Sequence, residues 1–136
     1  MKAIAIDASG APPSLNDLPV PEPGEGEVLV RVRASSVNGI DVSVAGGYLK
    51  GAMEHRFPVV LGRDFAGTVE AAGSGVQSLR PGDAVFGVVT KPALGDGAFG
   101  EYVTAPEAYT ARIGVHCTSV CNGALHCESN FRRTSQ

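Results

Sequence analysis

A mainly β domain, α+β in class, with one or two short helices arranged as a partly open barrel, is predicted by two features of this sequence. Short runs of alternating apolar and polar residues recur along the chain, the clearest at Glu27 to Ser36, and glycine and proline punctuate them, 18 and 9 of each in 136 residues. A hydrophobic content of 43% is enough to fill one compact core.

Met1 to Ala8 alternates and then meets Gly10, Pro12 and Pro13, which predicts an edge strand closed by a turn. Pro19, Pro21 and Pro23 keep the next stretch extended. In Glu27 to Ser36 the period of two puts Val28, Val30, Val32 and Ala34 on one face and Leu29, Arg31, Arg33 and Ser35 on the other. Ile40 to Ala45 makes a short helix that the Gly46-Gly47 pair stops with a left-handed cap. A loop follows to Pro58. Strands are then expected at Asp64 to Val76, Ala84 to Thr90 and Glu101 to Thr104. In the turn Arg80-Pro81-Gly82-Asp83, Pro81 presets the first corner and Gly82 takes the positive φ of the second. After Ile113 no period of 2 or 3.6 persists, so residues 114–136 are expected to be a loosely structured tail outside a domain of residues 1–113.

Composition narrows the partners. A net charge of −3 without a basic block gives no footprint for nucleic acid or an anionic membrane surface. No run approaches a transmembrane span, and four apolar residues before Asp7 are too few for a signal peptide. The three cysteines, an odd number, argue against a disulfide framework and make a reducing cytoplasm the expected setting.

Five segments in this order carry a resemblance. They are Glu25-Gly26-Glu27-Val28-Leu29-Val30-Arg31-Val32, Ser36-Val37-Asn38-Gly39-Ile40-Asp41, Pro58 through Val69 with its Leu61-Gly62-Arg63-Asp64-Phe65-Ala66-Gly67 centre, Arg80 through Gly87, and Gly97 through Val103. Together they resemble the GroES-like catalytic domain of medium-chain dehydrogenases and reductases, most closely the quinone oxidoreductase branch, over residues 1 to about 113. The resemblance implies hydride transfer from NADPH to a quinone or enone, at a cleft shared with a Rossmann domain that this chain lacks. It also implies that full-length relatives are homo-oligomers. Residues 114–136 are shorter than the roughly 30 residues of one βαβ unit, so the chain alone is expected to turn over negligibly.

Zinc-dependent relatives place a cysteine where this chain has Asn38, and a His-Glu pair where it has Arg63-Asp64. An amide is a poor zinc ligand and a guanidinium has no lone pair to give, so no metal is expected. Without one, hydrogen-bond donors must polarise the substrate carbonyl. Asn38 and Tyr48 are the candidate catalytic donors; Asn38 and Asp41 are the candidate contacts to the nicotinamide cofactor, with Asp41 orienting its neighbours. Plain structural readings stand beside these: Asn38 as a cap, Asp41 as a first-turn acid, Tyr48 as cover for the core, and Arg63-Asp64 as an ion pair at a strand start.

Two signals point the wrong way. Gly95-Asp96-Gly97-Ala98-Phe99-Gly100 matches G-x-G-x-x-G, yet a strand is expected after it, and the acid that should follow about 20 residues on is missing from 118–122. His116, Cys117, Cys121, His126 and Cys127 lack the spacing of a zinc knuckle. The change of texture at 114 is best accounted for by a shifted reading frame or an early stop. A non-catalytic binding module on the same scaffold is the alternative.

Overall fold

The computed structural model describes residues 1–114. The core of the fold is an antiparallel five-stranded sheet, in which β7 (Ala84–Val88), β6 (Asp64–Ala72), β3 (Glu27–Ser36) and β9 (Tyr102–Pro106) lie side by side and β10 (Thr110–Arg112) flanks β7. A second sheet has the order β2 (Ser14–Asp17), β1 (Lys2–Ile6), β5 (Val59–Val60), and the two-residue strands β4 (Glu54–His55) and β8 (Ala93–Leu94) pair in parallel. Among the described residues one α-helix, α1 (Gly39–Ala45), and one 3₁₀ turn at Glu107–Tyr109 complete it. Among the described residues the sheets do not close into a barrel.

Glu27 to Ser36 forms β3 at the expected bounds, and Val28 and Val30 are fully buried with Val32 packed beside them. Ala34 departs from the expected face and is exposed. The register with β6 slips between Val32 and Ala34, so an extra residue breaks the period of two as the strand leaves the core. Val28, Val30, Phe65, Val69, Val85 and Val103 make the main cluster. A second cluster joins Ile6, Val44, Val59, Leu61 and Leu94, and so packs α1 and β8 against the smaller sheet.

Several expectations need correction. β1 is not an edge strand: it pairs with β2 on one side and β5 on the other, and buries Ala3, Ala5 and Ile6. β2 was hidden because Ser-Leu-Asn-Asp has a polar composition and leaves Leu15 66% exposed. The strands expected at 64–76 and 84–90 end earlier, at Ala72 and Val88, and the last one runs on through Pro106. Proline fits there because β9 lies at the sheet edge, where a missing N–H costs no ladder bond.

Two turns form as expected. Gly47 takes φ +77 after α1, and Gly82 takes φ +95 while the Asp83 N–H donates to the Arg80 carbonyl at 3.1 Å. The tail and its cysteines lie outside the described residues.

Glu107 ties the end of β9 to the 77–79 segment. Its carboxylate accepts the Ser78 hydroxyl and N–H at 2.6 Å each, and the N–H groups of Gln77 and Leu79 at 3.2 Å. These bonds, those from Ser78 foremost, hold it down to about 2 from the ordinary 4.5. A carboxyl depressed on folding adds stability above its unfolded value, which is lost as pH falls from about 4.5 through about 2. Glu107→Gln is therefore expected to flatten the acid limb of stability against pH. Urea titrations of both proteins across that window check this; parallel curves refute it.

Candidate active site

A cavity of about 370 Å³ opens where β6 begins and β7 ends. Its wall combines the apolar side chains of Ile40, Met53, Val88, Val89 and Leu94 with Asn38, Arg63, Asp64 and Lys91. Local structure explains how the polar members meet. β3 ends at Ser36, Asn38 caps α1 in an extended conformation with φ −120, and β6 starts opposite at Asp64, paired with Ser36.

Asp64 is the hub on that side. It accepts the Asn38 amide at 2.6 Å and the Ser36 hydroxyl at 2.7 Å. The second N–H of that amide reaches only Ser36 Oγ at 3.5 Å, a distance too long to hold it firmly. Asp41 is 3% exposed and accepts the Asn38 backbone N–H at 2.8 Å, half of a capping box, while its Oδ1 has no partner among the described residues. Both the capping geometry of Asn38 and the first-turn position of Asp41 are therefore present, while the Asn38 side chain itself is turned to Asp64 and Ser36. Asp41→Ala is expected to cost ~1 kcal/mol through loss of this cap. Urea unfolding of the variant measures it, and an unchanged midpoint would contradict the assigned role.

Tyr48 is placed elsewhere. It is 80% exposed, so it covers no core, and its ring edge lies over Gly46, where an added Cβ would stand 2.6 Å from Cε2. It is not among the residues lining the cavity.

Arg63 and Asp64 do not form an ion pair: Arg63 lies just before β6, while Asp64, the first residue of β6, bonds Ser36 and Asn38. Arg63 turns inward and is 6% exposed. Its Nη1 donates to the Val89 carbonyl at 3.4 Å, and Nε and Nη2 have no partner among the described residues. Burial pulls this guanidinium below its ordinary value, against the opposing charges of Asp41 and Asp96.

Sequence reasoning also missed the neighbouring polar cluster. Lys91 bonds Asp96 and Thr104 at 2.6 Å each and Glu27 at 3.0 Å, and Thr104 donates to Asp96 at 2.9 Å. The available signal was a lone lysine beside Pro92 between two apolar runs. Arg63 carried a clearer one, a charge inside Val59-Val60-Leu61-Gly62-Arg63-Asp64-Phe65.

The Gly95–Gly100 loop opens no helix and leads toward β9; Gly97 lies buried against the Val60 and Leu61 carbonyls. It offers no pyrophosphate cradle. Among the described residues no three His, Cys, Asp or Glu side chains gather as metal ligands, and no helix is long and apolar enough to cross a membrane.

The family described as the alcohol dehydrogenase GroES-like domain matches residues 24–115. The chain belongs to that family. Within the medium-chain dehydrogenase/reductase superfamily, this GroES-like domain is 34% identical to a chloroplastic quinone-oxidoreductase of Triphysaria versicolor over 69% of the chain and 28% of the relative. It is 33% identical to a quinone oxidoreductase of Sus scrofa over 93% of the chain and 41% of the relative. Among solved structures, a mycobacterial protein complexed with NADPH superposes with a TM-score of 0.73 at 35% identity, over 88% of this chain and 35% of that one. The chain thus spans less than half the length of these relatives, which are oxidoreductases where their names say so.

Proposed function

We propose that this GroES-like domain is the substrate side of an NADPH-dependent quinone or enone oxidoreductase, working in a cytoplasmic, reducing setting without zinc. The observation that carries the reading is the cavity itself. Apolar walls from Ile40, Met53, Val88 and Leu94 suit a flat conjugated ring, and the donors of Asn38 and the buried cation Arg63 stand among them. Such a site binds by apolar contact and orients by a few polar groups.

The reaction takes up a quinone, NADPH and one proton and yields a hydroquinone and NADP⁺. NADPH supplies the hydride when bound; its pyrophosphate finds no cradle among the described residues, so its main hold lies in a second domain. This chain's part is to fix the acceptor. As hydride reaches the ring, charge grows on the carbonyl oxygen, and donors already in place lower its energy. The loosely held amide N–H of Asn38 is one such donor, positioned by Asp64 and by the Asp41 cap. Tyr48, on the solvent side, offers its phenol only to a group approaching from outside. Val37, Ile40 and Val88, exposed by 74%, 42% and 42%, lie at or next to the cavity and suit coverage by the nucleotide-binding side.

The test joins residues 1–113 to the nucleotide-binding domain of the matched Sus scrofa quinone oxidoreductase and follows NADPH oxidation with a quinone. Turnover by the chimera and none by the chain alone is expected. A folded chimera that binds NADPH but reduces no quinone or enone would sink the proposal.

A further inference from the structure

We infer that Arg63 is the oxygen-binding donor of the cavity, the group that holds the carbonyl oxygen of the acceptor and the oxyanion it becomes. The inference rests on the quinone or enone reading and adds a residue to it.

A guanidinium carries five N–H groups in a fixed fork. In Arg63 one of them makes a 3.4 Å bond to Val89, and Nε and Nη2 make none among the described residues. Asp41 and Asp96 act on it from a distance, and neither comes within 4.0 Å to form an ion pair. A buried cation left so incompletely bonded is costly, and proteins retain such groups where a ligand completes them. Arg63 also forms part of the cavity wall, but Nε and Nη2 are shielded from solvent, so an acceptor reaches them only as the wall gives way.

Beside it Asn38 offers one loosely held amide N–H, and the charged groups are committed. Lys91 is neutralised by Glu27 and Asp96. Asp64 is an acceptor that already holds Asn38 and Ser36. Tyr48 does not line the cavity. An oxygen entering between Ile40, Met53 and Leu94 therefore meets one unsatisfied charge of opposite sign to the one it develops. The one bond that the Arg63 side chain makes, 3.4 Å to the Val89 carbonyl, holds that charge only loosely.

The experiment uses the full chain and para-nitrophenol, whose coloured phenolate mimics a hydroquinone anion. Its ionisation is titrated by absorbance, free and with saturating protein, for the natural chain, Arg63→Lys and Arg63→Met. Arg63 is expected to lower the ionisation of the bound phenol by about one unit or more. The lysine variant keeps part of that shift, and the methionine variant reverses it, because an apolar site disfavours the anion.

A natural chain that raises or leaves unchanged the ionisation of the phenol overturns the inference, as does an equal lowering in Arg63→Met. Should the variants not fold, the sign in the natural chain decides alone. The two levels separate cleanly: phenolate held by Arg63 beside a chimera that reduces nothing removes the quinone reading and leaves the site. Turnover without the phenolate shift does the opposite.

Discussion

Gly67→Ala is expected to cost at least about 3 kcal/mol and to leave little folded protein. Gly67 sits in the middle of β6 with β3 on one side and β7 on the other, paired to Val32 and Val85. A Cβ there would run into the Arg31 carbonyl and stand 2.9 Å from Val30 Cγ1. Neither obstacle yields easily: one is backbone held in the sheet ladder, the other a fully buried, close-packed side chain. The three central strands would have to separate. With a total stability of about 5–15 kcal/mol for an ordinary domain, that strain takes a large share. Gly39→Ala is the control, since nothing lies within 4 Å of a Cβ added there. Urea unfolding of the two variants should differ widely; equal midpoints would mean that β3 and β6 do not approach as described.

Phe65→Ala is expected to cost about 3–5 kcal/mol, the usual loss when a buried ring is truncated in a core that cannot collapse. Phe65 is 3% exposed and belongs to the main cluster with Val30, Val69 and Val85. Its ring edge lies over Gly87 of β7, where a Cβ would be 2.9 Å from Cζ. The consequence reaches the site because Phe65 anchors the start of β6, whose first residue is Asp64 and which Arg63 directly precedes. Loosening it should weaken the Asn38–Asp64 bond along with the core. Phe86→Ala, at a ring 46% exposed, should lose far less. The reverse order of stabilities in thermal or urea unfolding would contradict the packing.

The parts legible in the sequence were those that one period or one turn specifies. β3 announced itself because Val28, Val30 and Val32 alternate with charges, and the Pro81-Gly82 turn because each residue supplies one backbone angle. The short strands β2, β4, β5 and β8 were not visible, since their pairing comes from long-range contacts and not from local preference. The site divides the same way. Asn38 and Asp41 were proposed from the motif that flanks them, and the cap and first-turn acid, their plain structural readings, are local patterns that the fold does form. Tyr48 was grouped with them although the Gly46-Gly47 turn carries it to the solvent side. Arg63 was read as a lost metal position or as the partner of Asp64, and only its burial in the folded chain shows a cation in the wall of an apolar cavity.

The central claim is that the cavity between Asn38 and Leu94 receives a conjugated carbonyl compound. Amide-resolved NMR of the chain titrated with a substituted, thiol-unreactive quinone tests it most directly. Shift changes concentrated at Asn38, Ile40, Arg63, Asp64, Val88, Val89 and Leu94 are predicted. Changes confined to the larger cleft of about 680 Å³ lined by Leu18, Glu22, Gly24, Arg56 and Val60, or none at saturating quinone, would contradict it.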